Sequence, residues 1–352
     1  MIPLPTTRED LTPEWFTSIL NKTRVESVQL QSLGESDSIS GYVYRAKLTY
    51  AEETQGAPDS VVLKLPRRIE MRTPTLRLSY EREIRFYQNL APNIGNLVPK
   101  LVYADLDAAT SDYVLVLEDF PEAQTTSNET GATSQQAYSL LGYIARLHAR
   151  YWLYPNLEGY EFLSSVARWI DRFDTELSQR LPAFLHRFSP CIQPEEMKLI
   201  KELPEYFKAA VEQLIDSPQT LIHNDFAMKN ILICGGPSDP RFILIDWALV
   251  GRGPGVRDVS FFIETSVPPQ KRSEDERVLL RHYWKSLCSE GVHGYPFERM
   301  LDDYRRSVVL DLARIVWNGG ADHITPVFES IIRHEIRGST GSVVELGLTS
   351  LL

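Results

Sequence analysis

Alternating apolar and polar positions in the first third of the chain predict strands. Residues 42–50 alternate as a half-buried strand does, and residues 61–65 form a second apolar run. Apolar positions recur at helical spacing over 76–90, and short β-rich runs follow at 101–103 and 113–117. A further helix is predicted near the N-terminus, where Thr12 precedes Pro13. This region therefore predicts a small β-rich unit with one main helix.

Beyond residue 133 the pattern becomes mostly helical. Residues 121–133 are small and polar, as is typical of a linker, and an apolar β-branched segment occupies 220–245. Helical periodicity is present in the segments 134–152, 166–181, 195–215, 274–289 and 297–318. We therefore predict an α+β chain with a β-rich N-terminal lobe at 1–120, a hinge or linker at 121–133 and a mostly helical lobe at 134–352.

Composition narrows the class of protein. The 352 residues include 37 Lys and Arg against 47 Asp and Glu, which gives a net charge of −10. An acidic chain is unsuited to non-specific nucleic-acid binding, and no apolar run approaches the length of a membrane span. The three cysteines form no C-x-x-C pair, and the N-terminus lacks the pattern of a secretory signal. We therefore expect a cytoplasmic protein with no nucleic-acid partner and no membrane span.

The β-branched segment carries polar residues around a predicted hairpin. Asp225 and Asn230 precede its first strand, and Asp246 follows its second strand. Strands joined by a short turn are antiparallel, so we expect Asn230 and Asp246 at the open end of the hairpin, within reach of Asp225. Carboxylate and amide oxygens suit Mg²⁺ and leave coordination positions for phosphate oxygens. Each residue alone is more simply a cap or turn residue, and only their joint spacing indicates a site.

This spacing resembles a known family. His223-x-Asp225-x-x-x-x-Asn230, followed by a hairpin and Asp246, is similar to the catalytic loop and metal-binding segment of the aminoglycoside phosphotransferase and choline kinase group. Residues 245–262 look most like ecdysteroid-kinase-like phosphotransferases. The resemblance implies a bilobal protein-kinase-like fold and an ATP- and Mg²⁺-dependent kinase that phosphorylates a hydroxyl of a small molecule.

The resemblance also implies roles for individual residues of the second lobe. Asp225 matches the catalytic residue that orients the acceptor hydroxyl and can take its proton. Asn230 and Asp246 match the metal ligands, while His223 and Asp258 match residues that brace the catalytic loop. An N-cap role for Asp258 is a compatible alternative.

In the first lobe, the resemblance implies that Lys64 contacts the nucleotide phosphates and that Glu83 pairs with it. Glu83 is favoured over Glu81 because apolar residues three, four and seven positions after Glu83 give it the core-facing side of the helix. Taken alone, Lys64 is an ordinary strand-end lysine, and the loop 34–41 is a plain turn without the G-x-G-x-x-G pattern. The remaining implied nucleotide contacts are this loop, through Gly34, Ser38 and Gly41, and a hinge, through Glu118 and Phe120.

The sequence defines the acceptor only by class. The chain lacks an A-P-E sequence after Asp246 and an Arg beside Asp225, which favours a small molecule over a protein substrate. The alternatives are a protein kinase-like enzyme and a non-catalytic nucleotide-binding scaffold. A basic run over 64–85 and the aromatics of the helical lobe could contact substrate, although a solvated helix face and core packing explain them more simply. The net charge suits a cationic acceptor slightly better than an anionic one.

Overall fold

The computed structural model describes residues 2–20, 24–33, 41–52, 55–67, 73–173, 175–236 and 239–345. By its internal contacts the chain divides into two compact units. The first unit contains Met1–Gln124 and Leu232–Leu249, and the second contains Thr125–Ile231 and Val250–Leu352. The predicted α+β class is confirmed. The segment Leu232–Leu249 groups with the first unit although it follows the linker in sequence.

An antiparallel sheet forms the body of the first unit. Its five strands are β1 (Val25–Ser32), β2 (Tyr42–Tyr50), β3 (Ser60–Leu65), β4 (Leu101–Leu106) and β5 (Tyr113–Glu118), in the order β1-β2-β3-β5-β4. The helices of this unit are α1 (Pro13–Ile19), α2 (Pro74–Asn89) and α3 (Ala91–Ile94). The strands β8 (Ile231–Cys234) and β9 (Arg241–Leu244) pair as a separate two-stranded sheet, which is the hairpin expected from the sequence.

Local sequence explains strand β3 and helix α2, which carry Lys64 and Glu83. Along β3, Val61, Leu63 and Leu65 are buried in the core, so the two-residue period of a strand directs Lys64 to the opposite face. Helix α2 begins with a proline after Thr73, whose hydroxyl accepts a hydrogen bond from the Leu76 N–H at 3.2 Å.

Helices make up most of the second unit. They are α4 (Ser134–Arg150), α5 (Arg168–Phe173), α6 (Glu176–Phe188), α7 (Pro194–Ile215), α8 (Val256–Ser266), α9 (Pro269–Ser289), α10 (Phe297–Gly319) and α11 (Pro326–Glu345). Three short strands, β6 (Ser164–Ser165), β7 (Thr220–Ile222) and β10 (Gly251–Gly253), form a sheet in the order β6-β10-β7. Every residue of α8 is buried, which makes it the central helix of this unit. None of the helices in the described ranges is long and apolar enough to cross a membrane.

The structure differs from the predicted elements at several places. The single helix predicted over 166–181 is two helices, α5 and α6. The helical periodicity of the sequence continues from α5 into α6 because both helices bury apolar side chains, such as Phe173 and Leu177. Strand β1 was not predicted, although half-buried Val28 and Leu30 alternate there with exposed glutamines. Helix α11 was also not predicted.

Candidate active site

Three charged side chains from separate segments of the first unit meet at Lys64. Its Nζ donates to Glu83 Oε1 at 2.7 Å and to Asp246 Oδ1 at 3.0 Å. Lys64 lies on β3, Glu83 on α2, and Asp246 two residues after β9. The Glu83 side chain is only 4% exposed, so its carboxylate is held inside the unit. The structure therefore brings together three of the residues expected at the nucleotide and the metal.

The surrounding charges keep Lys64 protonated. Burial acts to lower the pKa of Lys64, but the carboxylates of Asp246 and Glu83 outweigh it and raise that pKa above its ordinary value. Burial raises the pKa of Glu83, and the Lys64 ammonium opposes the rise. Burial also raises the pKa of the Tyr87 hydroxyl, one turn further along α2, well above its usual value. A permanently charged ammonium is suited to holding phosphate oxygens.

Two non-glycine residues of the predicted site have left-handed backbone. Asn224 has φ of 63° and Asp246 has φ of 64°. This conformation costs on the order of 1–3 kcal/mol and is concentrated at functional loops. Asn224 comes directly before Asp225, so the turn sets the direction in which the chain presents the predicted catalytic carboxylate.

In the second unit, the Asp225 carboxylate is held through one of its oxygens. Asn230 Nδ2 donates to Asp225 Oδ2 at 2.8 Å and to the Asp225 backbone oxygen at 2.9 Å. The Lys229 ammonium lies 3.0 Å from the same Oδ2. Within the described part of the chain, Oδ1 accepts no hydrogen bond. Asp225 is therefore fixed in orientation while Oδ1 stays available to a ligand.

The donor chemistry of Asn230 fits a hard cation. Its amide nitrogen is assigned to the two bonds with Asp225, so its oxygen is the atom left to coordinate a metal. The described residues contain no group of three or more His, Cys, Asp or Glu that could hold a metal by themselves. The assignment of Asn230 and Asp246 to a metal stays a prediction.

Asp258 holds the backbone of the predicted catalytic loop. Its Oδ2 accepts the His223 backbone N–H at 2.7 Å, and its Oδ1 accepts the Asn224 backbone N–H at 2.8 Å. His223 Nδ1 in turn accepts the Asp225 backbone N–H at 3.3 Å. Asp258 and His223 are both fully buried. These contacts bring both residues to the loop that carries Asp225, and their supporting role in catalysis stays a prediction.

His148 on α4 completes the surroundings of Asp258. Its Nε2 lies 3.2 Å from Asp258 Oδ2, and its Nδ1 lies 2.8 Å from the Tyr283 hydroxyl on α9. Burial acts to raise the pKa of Asp258, but the hydrogen bond and charge of His148, together with His223, outweigh it and hold that pKa below its usual value. A Cβ on Gly255 would lie 2.6 Å from both His148 Nδ1 and the Tyr283 hydroxyl, so only glycine fits beside this pair.

Tyr283 and Gly255 were missed as site residues by the sequence analysis. Tyr283 lies 135 positions after His148 in an ordinary helical pattern, so no local signal marks it. Lys229 was missed as well. Here a signal was present, since Lys229 follows Asp225 by four positions within the loop.

The remaining predicted nucleotide contacts lie in the first unit. Glu118 Oε2 accepts the backbone N–H of Lys100 at 3.2 Å, and the Phe120 ring lies 5.7 Å from the Arg241 guanidinium carbon. Gly41 has φ of +142°, and a Cβ there would lie 2.5 Å from the Leu65 backbone oxygen. Gly34 and Ser38 lie outside the described residues. Contact of these residues with a nucleotide stays a prediction.

Comparison with known proteins decides the family. The profile of the ecdysteroid kinase-like family matches residues 35–291, well over half of the chain. The chain belongs to the ecdysteroid kinase-like family. This confirms the resemblance drawn from the catalytic loop and makes the chain a small-molecule kinase-like phosphotransferase. No curated protein matches the sequence.

Solved structures support the same fold for this ecdysteroid kinase-like chain. A choline kinase from Cryptosporidium parvum Iowa II is similar with a TM-score of 0.59 and 10% identity, over 97% of this chain and 95% of that one. A choline kinase from Streptococcus pneumoniae gives 0.53 and 14%, over 93% and 96%. An amicoumacin kinase in complex with AMP-PNP, Ca²⁺ and Ami gives 0.53 and 17%, over 88% of each chain. At these identities the similarity shows the fold alone, and the predicted protein-kinase-like fold is confirmed.

Proposed function

We propose that this protein transfers the γ-phosphate of ATP to a hydroxyl group of a small molecule and requires Mg²⁺. The observation that carries the proposal is the Asp225 carboxylate, which is fixed through Oδ2 and open at Oδ1. A carboxylate held in this way can accept the hydrogen bond of an incoming hydroxyl without first having to reorient. Membership of a family of small-molecule kinase-like phosphotransferases supports the same reaction.

Lys64 is the residue that we assign to the triphosphate. Its ammonium is held between Glu83 and Asp246, which fixes its position and keeps it charged. Phosphoryl transfer requires positioning and neutralisation of oxygen charge more than covalent chemistry by the protein. The amicoumacin kinase of similar fold is a complex with AMP-PNP, which supports nucleotide binding here.

Asn230 and Asp246 are the residues that we assign to the metal. The free amide oxygen of Asn230 and the Asp246 carboxylate offer the oxygen ligands that Mg²⁺ prefers. Bound Mg²⁺ would neutralise negative charge on the phosphate oxygens.

Asp225 is assigned to the acceptor. Its Oδ1 would accept the hydrogen bond of the acceptor hydroxyl and orient the hydroxyl oxygen for attack on the γ-phosphorus. A bond forms between this oxygen and phosphorus, the bond from phosphorus to the β,γ-bridging oxygen breaks, and the hydroxyl proton passes to Asp225. The products are a phosphate monoester and ADP.

Thermal melting with ATP, in the presence and absence of Mg²⁺, tests the nucleotide and metal assignments. We expect Asp246→Ala to lose the Mg²⁺-dependent rise in melting temperature, because it loses a metal ligand. Asp225→Ala should keep this rise but lose turnover. Asp302→Ala, a change at a partly exposed ion pair on α10, serves as the control and should behave as the wild type does. Equal, Mg²⁺-independent shifts in all four proteins would refute the kinase assignment.

A screen for ATP consumption tests the acceptor class. Alcohols, amino-sugars, macrolides and sterols should include at least one compound that the wild type phosphorylates and Asp225→Ala does not. Mg²⁺-dependent nucleotide binding without phosphorylation of any hydroxyl compound would instead favour a nucleotide-binding scaffold.

A further inference from the structure

The Asp225 carboxylate of the second unit has one cation at contact distance and a second within electrostatic range. Lys229 lies four residues after Asp225, and its ammonium is 3.0 Å from Asp225 Oδ2. Burial acts to lower the pKa of Arg314 on α10, but the carboxylates of Glu335, Asp311 and Asp225 outweigh it and raise that pKa. Both cationic side chains are open to solvent in part, at 50% for Lys229 and 19% for Arg314. A molecule that binds beside Asp225 therefore lies near the Lys229 ammonium, which is partly open to solvent.

Lys229 is held in position through both its backbone and its side chain. Its backbone N–H donates to Asn128 Oδ1 at 3.1 Å, while its ammonium shares Asp225 Oδ2 with the Asn230 amide. An acceptor hydroxyl must therefore bind at Oδ1. With a hydrogen bond of about 2.7 Å to Oδ1, the hydroxyl oxygen would lie roughly 5–7 Å from the Lys229 ammonium. Substituents on the neighbouring carbon atoms of the acceptor would lie at a similar distance.

The charges around Asp225 balance one another. Arg314 Nη1 lies 3.3 Å from both carboxylate oxygens of Glu335, and its guanidinium carbon lies 4.8 Å from the centre of the Phe261 ring. Glu335 thus offsets Arg314, as Lys229 offsets Asp225. Asp311, which also acts on Arg314, is itself paired with the Arg257 guanidinium at 2.9 Å. Recognition of an ammonium group requires an excess of carboxylates or an open aromatic face. These residues leave no such excess, and Arg314 already lies over Phe261.

We propose that Lys229 selects the acceptor by charge, so that the enzyme prefers neutral or anionic alcohols to alcohols with an ammonium group near the reacting hydroxyl. This inference rests on the proposed function and narrows its substrate class. The net charge of −10 would instead suit a cationic acceptor. Exposed charges more than about 8 Å away are largely screened at physiological salt, so the charges beside Asp225 matter more than the net charge. A unit charge at the distance above, partly exposed to solvent, changes the ratio of specificity constants on the order of tenfold.

Matched acceptors of opposite charge test this selection. The smallest series is glycerol, 3-amino-1,2-propanediol and glycerate, and each alcohol found by the acceptor screen is compared with its amine and acid analogues in the same way. The measurement is kcat/KM from ADP release for the wild type, Lys229→Gln and Lys229→Glu. Lys198→Glu changes the same charge in another ion pair of i,i+4 spacing, on α7, and serves as the matched control.

We expect the wild type to favour the neutral or acidic member of each series. Lys229→Gln should weaken this preference, and Lys229→Glu should shift the amine-to-acid ratio of kcat/KM on the order of tenfold or more towards the amine. The Mg²⁺-dependent thermal shift with ADP, measured in parallel, separates a change in acceptor selection from a loss of nucleotide and metal binding. Two results would overturn the selection by Lys229 and leave the proposed function standing. One is a wild type that prefers amines, and the other is an equal amine-to-acid ratio in Lys229→Glu and Lys198→Glu. Failure of every protein to phosphorylate any acceptor would count against the proposed function as well.

Discussion

Asp258→Asn is the substitution for which the structure allows the most detailed prediction. The Asp258 carboxylate is fully buried and accepts backbone N–H groups from His223 and Asn224, and its Oδ2 also faces His148 Nε2. An asparagine can present an oxygen to only one of the two sides. The better orientation keeps the oxygen towards His223 and His148 and turns the amide NH₂ towards the Asn224 N–H.

The size of the change in stability follows from the Asn224 backbone N–H, which loses its acceptor in Asp258→Asn. A buried donor left unsatisfied costs about 1–3 kcal/mol, and loss of the negative charge weakens the two bonds that remain. We therefore expect Asp258→Asn to lower the free energy of unfolding by at least this amount near pH 7. The positive φ of Asn224 adds to the effect, because the bond to Asp258 helps to hold that backbone conformation.

The pH dependence gives an independent check. The pKa of Asp258 in the folded protein is below its usual value of 3.8, so its stabilising effect is complete above that value. The effect is lost as the pH falls from the unfolded pKa through the folded pKa. The difference in free energy of unfolding between wild type and Asp258→Asn should therefore be constant at neutral pH and become smaller below about pH 4.

Equilibrium unfolding in urea at several pH values measures both effects. Asp302→Asn makes the same chemical change at a partly exposed ion pair and should alter the free energy of unfolding by no more than about 0.5 kcal/mol. Unchanged stability of Asp258→Asn at neutral pH, or a difference from wild type that grows on acidification, would refute the reasoning.

Two further substitutions test packing around the site. Tyr283→Phe removes the hydroxyl that faces His148 Nδ1, and the buried nitrogen left without that partner should cost about 1–3 kcal/mol in urea unfolding, with little change in KM for ATP but a lower kcat. Gly41→Ala places a Cβ 2.5 Å from the Leu65 backbone oxygen at a φ of +142°, so its melting temperature should fall clearly. Gly159→Ala, where a Cβ meets nothing within 4 Å, is its control, and an equal melting temperature in the two variants would contradict the assignment of strain.

Much of the fold was predictable because its signals are local. The alternation over 42–50 corresponds to β2, and the apolar run over 61–65 corresponds to β3. The helical period over 297–318 corresponds to α10. Periodicity reports which side of an element is buried, but not where one element ends and another begins with the same buried side. For this reason α5 and α6 were predicted as one helix.

The residues of the candidate site also divide into those that local sequence marks and those that only tertiary structure brings together. The spacing of Asp225, Lys229 and Asn230 lies within one loop, so the sequence by itself determines that these side chains can meet. The family resemblance depends on the same local spacing of Asp225 and Asn230, which requires no contact from a distant segment. The pairing of Lys64 with Glu83 could be anticipated from the apolar side of one helix, and the structure brings the two together at 2.7 Å.

Only the tertiary structure decided what surrounds these residues. His148 reaches Asp258 across 110 positions and Tyr283 across 135 positions, and Arg314 belongs to a helix whose own pattern indicates only core packing. Hydrogen bonds and charge contacts between distant segments depend on how buried helices pack in three dimensions, and hydrophobic periodicity carries no information about that partner choice. The sequence thus determined which polar residues share the predicted catalytic loop, and tertiary packing decided how the loop is supported and which charges lie beside its carboxylate.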